Sequence, residues 1–274
     1  MRAAVVGLGL IGGSAALGLR ARGWDRDGRA RELARSKGID ARESLEEALR
    51  DAEVVLLAVP TSEVPALLQR SASLAPGALL SDCASIKVPI ARAAASLPEP
   101  VRFVGGHPMA GSGSLGLAGA DPAIFQGRPW VLVPTARSDE ASITRMTALV
   151  ESLGAAPVVF EAAGHDAAMT RVSHLPHVVA AALAAAAVHA DSGATRLAGP
   201  GLLDTTRLAE MAPSLLRELA LADPPALAQA IDDVASELKA AAEALRRGDE
   251  AALDAFFRRG GEARKRIAPR ASES

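Results

Sequence analysis

The run VVGLGLIGGS, from Val5 to Ser14, constrains this chain more than any other stretch. An apolar, β-branched segment leads directly into Gly7-x-Gly9-x-x-Gly12, and a helical pattern follows the last glycine. Strand, glycine turn and helix in that order open a parallel α/β unit. Glycines there permit a tight turn and let a pyrophosphate reach backbone N–H groups at the helix start. Gly7, Gly9, Leu10, Ile11 and Gly12 are therefore candidate contacts to a dinucleotide. The same spacing also occurs in glycine-rich turns that bind nothing.

The rest of the first 160 residues repeats the alternation. Short apolar runs at 3–8, 54–59, 78–82, 102–106, 130–135 and 156–160 read as buried strands. Helical patterns at 27–37, 62–73, 86–96 and 138–152 separate them. This order predicts a largely parallel sheet with helices on both faces. After residue 160 the strands stop, and 213–222, 224–247 and 249–267 read as helices. A longer helical run includes Pro176, which predicts a kink or break there. Gly248 is a helix stop and Asp249 the next start. The expected division is 1–160 and 161–274, with a frayed tail, APRASES.

Composition narrows the classes. With 49% hydrophobic and 23% charged residues the chain reads as globular. A net charge of −2 argues against nucleic acid or an anionic membrane as the main partner. The single cysteine, Cys83, rules out an internal disulfide and fits a reducing, cytoplasmic setting. The N-terminus runs straight into the glycine motif and lacks the pattern of a signal peptide. The alanine-rich run Val178 to Ala190 is read as a buried helix rather than a membrane span. A helical half so rich in alanine needs a partner for its apolar faces, which predicts a homodimer.

A dinucleotide site of this kind needs an acid for the adenosine ribose about 20 residues after the glycines. Asp25 fits, and Asp27 reads as the cap of the next helix. If the first helix runs to Arg22 and stops at Gly23, no room remains for a second strand before Asp25. Either that strand is missing or the helix is cut short. The Asp25 carboxylate favours NAD. Arg26 could face the 2′-phosphate of NADP, stack on adenine or point to solvent.

Other residues carry possible chemistry. His107 sits in GGHPMAGSG after the strand RFVGG, at the sheet edge where ligands bind in open α/β folds. Histidine is a natural general base near neutral pH, although a structural role is as common. Ser85, in SDCASIK, opens on the same edge and could orient His107 or a nicotinamide amide. Lys87 either caps a site charge or is solvated. His174 and His177, in SHLPH, share one helix face. With one cysteine and no acidic third ligand nearby, metal binding is disfavoured. Arg207, in DTTR, offers a planar fork for a carboxylate or for a surface ion pair.

Taken together, GLGLIGGS, DCASIK, GGHPMAGS, FQGRPWVLVPT, HDAAMTRVSHLPH and DTTR resemble the prephenate/arogenate dehydrogenase family of tyrosine biosynthesis, along nearly the whole chain. The resemblance implies a Rossmann-type α/β N-terminal domain followed by an all-α C-terminal dimerisation domain. It implies oxidative decarboxylation of prephenate, or alternatively arogenate, with hydride transfer to a nicotinamide cofactor. His107 would accept the proton of the C4 hydroxyl, and Ser85 would support it. Arg207 would hold a substrate carboxylate, with His177 and His174 lining the pocket. Gly113 stands where many members carry glutamate, which leaves the substrate open, and Leu216 stands where a tryptophan is common. No appended chorismate mutase or regulatory domain is expected. The β-hydroxyacid dehydrogenases need a lysine in the first long helix of the second half, and no lysine lies between Lys87 and Lys239. A cofactor-binding protein without activity is the non-enzymatic alternative.

Overall fold

The computed structural model describes residues 1–111, 116–190 and 193–267, so Gly113 and the tail APRASES lie outside the described residues. The chain divides into two compact units, Met1–Met169 and Thr170–Ser274.

In the first unit the strands are β1 (Ala3–Val6), β2 (Arg22–Trp24), β3 (Asp40–Ala41), β4 (Val54–Leu57), β5 (Leu79–Asp82), β6 (Arg102–Pro108), β7 (Pro129–Pro134) and β8 (Ala156–Val159). Among the described residues they form one sheet in the order β3-β2-β1-β4-β5-β6-β7-β8. All neighbours pair parallel except β6 with β7. Its helices are α1 (Leu10–Leu19), α2 (Gly28–Ser36), α3 (Leu45–Leu49), α4 (Val64–Leu74), α5 (Val88–Ala95), α6 (Glu140–Ser152) and α7 (Ala162–Met169). The inner strands β1 and β4 are apolar at every position because both faces are covered. Val5, Val54 and Leu56 enter one core with Ala15, Trp130 and Met146. Val6, Val55 and Leu57 enter the other with Leu68, Ile90 and Phe103.

The crowding before Asp25 resolves by a short helix. α1 stops at Leu19, and Arg20 closes it in the left-handed conformation (φ 51°), its N–H bonded to Ala16 O and Leu17 O. Arg22–Trp24 is then free to pair with β1 and β3. Gly23 is a strand residue and not a helix stop. Asp27 caps α2, accepting from Arg29 N.

The second unit contains α8 (Leu175–Ala190), α9 (Pro200–Thr206), α10 (Pro213–Ala220), α11 (Pro224–Arg247) and α12 (Glu250–Ile267). Ahead of α8, Thr170–His174 forms a π-helical turn. Pro176 lacks an N–H, and the widened turn before it is the expected irregularity. Gly248 (φ 63°) ends α11, and Asp249 accepts from Ala252 N at the start of α12. The expectation of a buried helix over 178–190 does not hold within the chain. Ala180 is buried, but Val179, Leu183 and Val188 are exposed. One apolar side of α8 packs inward, and the rest is left exposed among the described residues.

The expected boundary near residue 160 falls nine residues before the division at Met169. The reason is α7, whose His165 and Asp166 are hydrogen-bonded to His107, Lys87 and Val88 of the first unit.

Candidate active site

Four features of the first unit stand at the C-terminal edge of its parallel strands: the glycine loop after β1, Asp25 after β2, Ser85 after β5, and His107 near the end of β6. A Cβ on Gly12 would lie 1.9 Å from Gly7 O, so the turn closes only with glycine there. A Cβ on Gly9 would meet nothing within 4 Å, so this side of the turn is open to a ligand. Gly9 caps α1 without a side-chain hydrogen bond, and no acidic residue occupies the first turn. The N–H groups around Leu10, Ile11 and Gly12 therefore have the polarity a pyrophosphate requires.

Gly7 and Gly9 open onto a cavity of about 620 Å³, lined also by Trp24, Asp25, Arg26, Val59 and Glu63. Asp25 is tied into the loop, with Oδ2 accepting from Leu8 N at 2.8 Å and Oδ1 from Asp27 N at 2.9 Å. Each carboxylate oxygen keeps a second lone pair for a ribose hydroxyl. Arg26 pairs with Glu63 at 3.0 Å and is mostly exposed. The glycine cradle, the uncapped helix start and the carboxylate together fit a dinucleotide.

His107 was expected just past the strand RFVGG, but it lies inside β6, opposite Val131 of β7. The antiparallel partner prolongs the strand past the glycines. Gly106 must be glycine for a separate reason: a Cβ there would lie 2.4 Å from Asp82 O. Beneath it lies a pair whose burial the sequence did not reveal. Lys87, 1% exposed, contacts the Asp82 carboxylate and donates to Gly106 O at 2.6 Å. Asp82 accepts from Gly106 N at 3.1 Å and Ala84 N at 3.0 Å. The ion pair thus grips both sides of the residue preceding His107. Burial and the Asp82 charge push the neighbouring Cys83 thiol up, and Lys87 offsets this only in part.

His107 is 9% exposed. Its Nδ1 lies 2.9 Å from Nε2 of His165, with the rings near-perpendicular at 75°. His165 Nδ1 lies 2.7 Å from Asp166 Oδ1. The Asp166 carboxylate also caps α5, accepting from Lys87 N at 2.7 Å and Val88 N at 2.8 Å. Burial raises its pKa, but the His165 hydrogen bond and these two amides prevail and hold it below the usual value. His165 and Asp166 were not singled out in the sequence as site residues. The available signal was a histidine–aspartate pair opening the first helix after the last strand. Ser85 is half-buried, and its hydroxyl makes no hydrogen bond among the described residues.

In the second unit the structure brings His174 and His177 together. Both are buried and line a cavity of about 280 Å³ with Leu216, Arg217 and Leu219. His177 Nδ1 donates to Ser173 O at 2.8 Å, leaving Nε2 without a protein partner among the described residues. Arg207 does not line this cavity. It is exposed, at the junction of α9 and the following 3-10 turn.

Residues 16–159 match the family description "Prephenate dehydrogenase, nucleotide-binding domain", and 161–259 match "Prephenate dehydrogenase, dimerization domain". A prephenate dehydrogenase of Lactococcus lactis is 32% identical, over 93% of this chain and 74% of its own length. A cyclohexadienyl dehydrogenase of Zymomonas mobilis is 30% identical, over 86% of this chain and 85% of its own. The crystal structure of Synechocystis arogenate dehydrogenase covers 98% of this chain and 100% of its own, with a TM-score of 0.83 and 30% identity. That of A. aeolicus prephenate dehydrogenase, in complex with hydroxyphenyl propionate and NAD+, covers 98% and 99%, with a TM-score of 0.87 and 26% identity. The chain belongs to the prephenate dehydrogenase family.

Proposed function

We propose that this protein oxidatively decarboxylates prephenate to 4-hydroxyphenylpyruvate in tyrosine biosynthesis, with NAD as hydride acceptor. The observation that carries the reading is the placement of His107 on the sheet edge that also bears the glycine cradle and Asp25. Bound NAD supplies the acceptor for the hydride that leaves C4. His107 Nε2 takes the proton of the C4 hydroxyl as that hydride departs. The resulting carbonyl is conjugated through the ring to C1, so the bond from C1 to the carboxylate breaks. Its electron pair closes the aromatic ring, CO₂ leaves, and the oxygen is reprotonated as a phenol. Burial of His107 keeps its lone pair from competing water.

Asp25 supports NAD over NADP, because its carboxylate would repel a 2′-phosphate and Arg26 is engaged by Glu63. Arg207 binds a substrate carboxylate, His177 and His174 contact substrate in the second unit, and Ser85 serves the nicotinamide end. By sequence the domains divide as a nucleotide-binding part, 1–160, and a helical part, 161–274, although α7, the first helix of the helical part, packs within the compact first unit. The protein works in the cytoplasm, a setting consistent with its free Cys83.

A homodimer covers the exposed apolar side of α8, in keeping with the matched dimerization domain. By length and composition Ala162–His189 is apolar enough to cross a membrane. Its first turns, however, carry His165 and Asp166, which are bonded within the first unit. Neither a membrane nor a nucleic acid is proposed as a partner.

Arogenate is the second reading, favoured by the match to the Synechocystis enzyme. Initial rates with prephenate or arogenate, each with NAD or NADP, test both. The expected result is fastest turnover with NAD and prephenate; silence in all four from folded protein would leave only cofactor binding.

A further inference from the structure

We infer that His165 and Asp166 are positioning residues that keep a proton on Nδ1 of His107 and leave its Nε2 unprotonated, as a hydrogen-bond acceptor. This rests on His107 being the proton acceptor proposed above.

The argument follows hydrogen-bond polarity outward from Asp166. Its Oδ1 receives Lys87 N at 2.7 Å and its Oδ2 receives Val88 N at 2.8 Å, both fixed donors. An ionised carboxylate is acceptor-only, so the third contact, His165 Nδ1 at 2.7 Å, must also donate. A neutral imidazole carries one proton, so His165 Nε2 is a lone pair. That lone pair faces His107 Nδ1 at 2.9 Å, and a contact of this length needs one proton between the nitrogens. The proton belongs to His107, and Nε2 of His107 is left as the acceptor. When Nε2 takes up the substrate proton, the positive ring still donates to His165, and the Asp166 charge stands at the end of the chain. The other charged groups at this site, Asp82 and Lys87, neutralise each other around Gly106.

Two things follow. The tautomer is set before substrate arrives, which the corresponding carboxylate does in a Ser-His-Asp triad. A doubly protonated His165 would reverse the order and make His107 Nε2 a donor, unfit to accept the hydroxyl proton.

The test is nitrogen NMR of protein labelled at histidine, with His107 assigned by its loss in His107→Asn. Wild type should show a protonated Nδ1 and an unprotonated Nε2 for His107. A proton resident on Nε2 would overturn the inference, and this spectrum decides even if no His165 variant folds. His165→Phe fills the 1%-exposed site but removes the acceptor. It should lower kcat about 10²-fold, within the range up to about 10⁴ that loss of the correct tautomer costs in such a triad. The NAD KM should not move. His165→Gln can still accept from His107 and should retain more activity than Phe. A merely packing role predicts the opposite order, and Phe equal to or better than Gln in folded protein would refute the inference. Full turnover of His107→Asn would instead sink the base reading. An inactive His107→Asn beside a fully active His165→Phe would sink only the positioning pair.

Discussion

Lys87→Met leaves the Asp82 carboxylate buried without its cation, and the structure fixes the size of that loss. Both side chains are essentially inaccessible to water, at 1% and 0% exposure. Breaking a buried ion pair from one side costs about 3–5 kcal/mol, because the remaining charge cannot be rehydrated. Here Asp82 keeps two amide donors, Gly106 N and Ala84 N, so the lower end applies and we expect about 3 kcal/mol. For a unit of this size that is a fall in Tm of about 6–12 °C, at about 2–4 °C per kcal/mol. Asp82→Leu should be worse, about 5 kcal/mol or more, because the ammonium keeps only Gly106 O and both amides lose their acceptor. The double variant Asp82→Asn/Lys87→Met removes both charges, keeps an acceptor for Gly106 N, and should cost less than either single change. Urea unfolding followed by circular dichroism reads all three. A Lys87→Met protein within about 0.5 kcal/mol of wild type, the range of ordinary surface changes, would refute the reasoning.

Other outcomes follow from the same geometry. His107→Asn should lower turnover by about 10²–10⁴ while calorimetry shows NAD binding intact. Asp25→Ala should raise the KM for NAD and narrow its advantage over NADP; an unchanged KM would contradict the ribose contact. Asp166 has a depressed folded pKa, so its contribution to stability is complete above the unfolded value of about 3.9 and is lost as pH falls through the folded one. The stability gap between wild type and Asp166→Asn should therefore be widest near neutral pH and close below about pH 4, as urea unfolding across pH would show. Cys83, whose pKa is raised first by burial and then by Asp82, should resist alkylation in folded protein near pH 8.

Much of the fold was legible because its signals are local. The apolar runs at β1, β4 and β5, the cap at Asp27 and the stop at Gly248 follow from residue chemistry alone. β2 was hidden because it spans three residues, and the turn that makes room for it uses an arginine in a conformation usually left to glycine. The burial of Lys87 could not be read from its neighbours, since Gly106 reaches it from the adjacent strand and Asp82, five residues earlier, meets it only through the fold of the turn between β5 and α5. The pairing of His107 with His165 is likewise long-range in sequence. Exposure along α8 depends on which side the second unit packs, which an all-apolar run does not specify.

The most direct test of the central claim uses prephenate carrying deuterium at C4, incubated with NAD and the enzyme. The account predicts one deuterium in the reduced nicotinamide per CO₂ released, with 4-hydroxyphenylpyruvate free of label at the former C4. Release of CO₂ without deuterium transfer, or no reaction from folded protein, would contradict it.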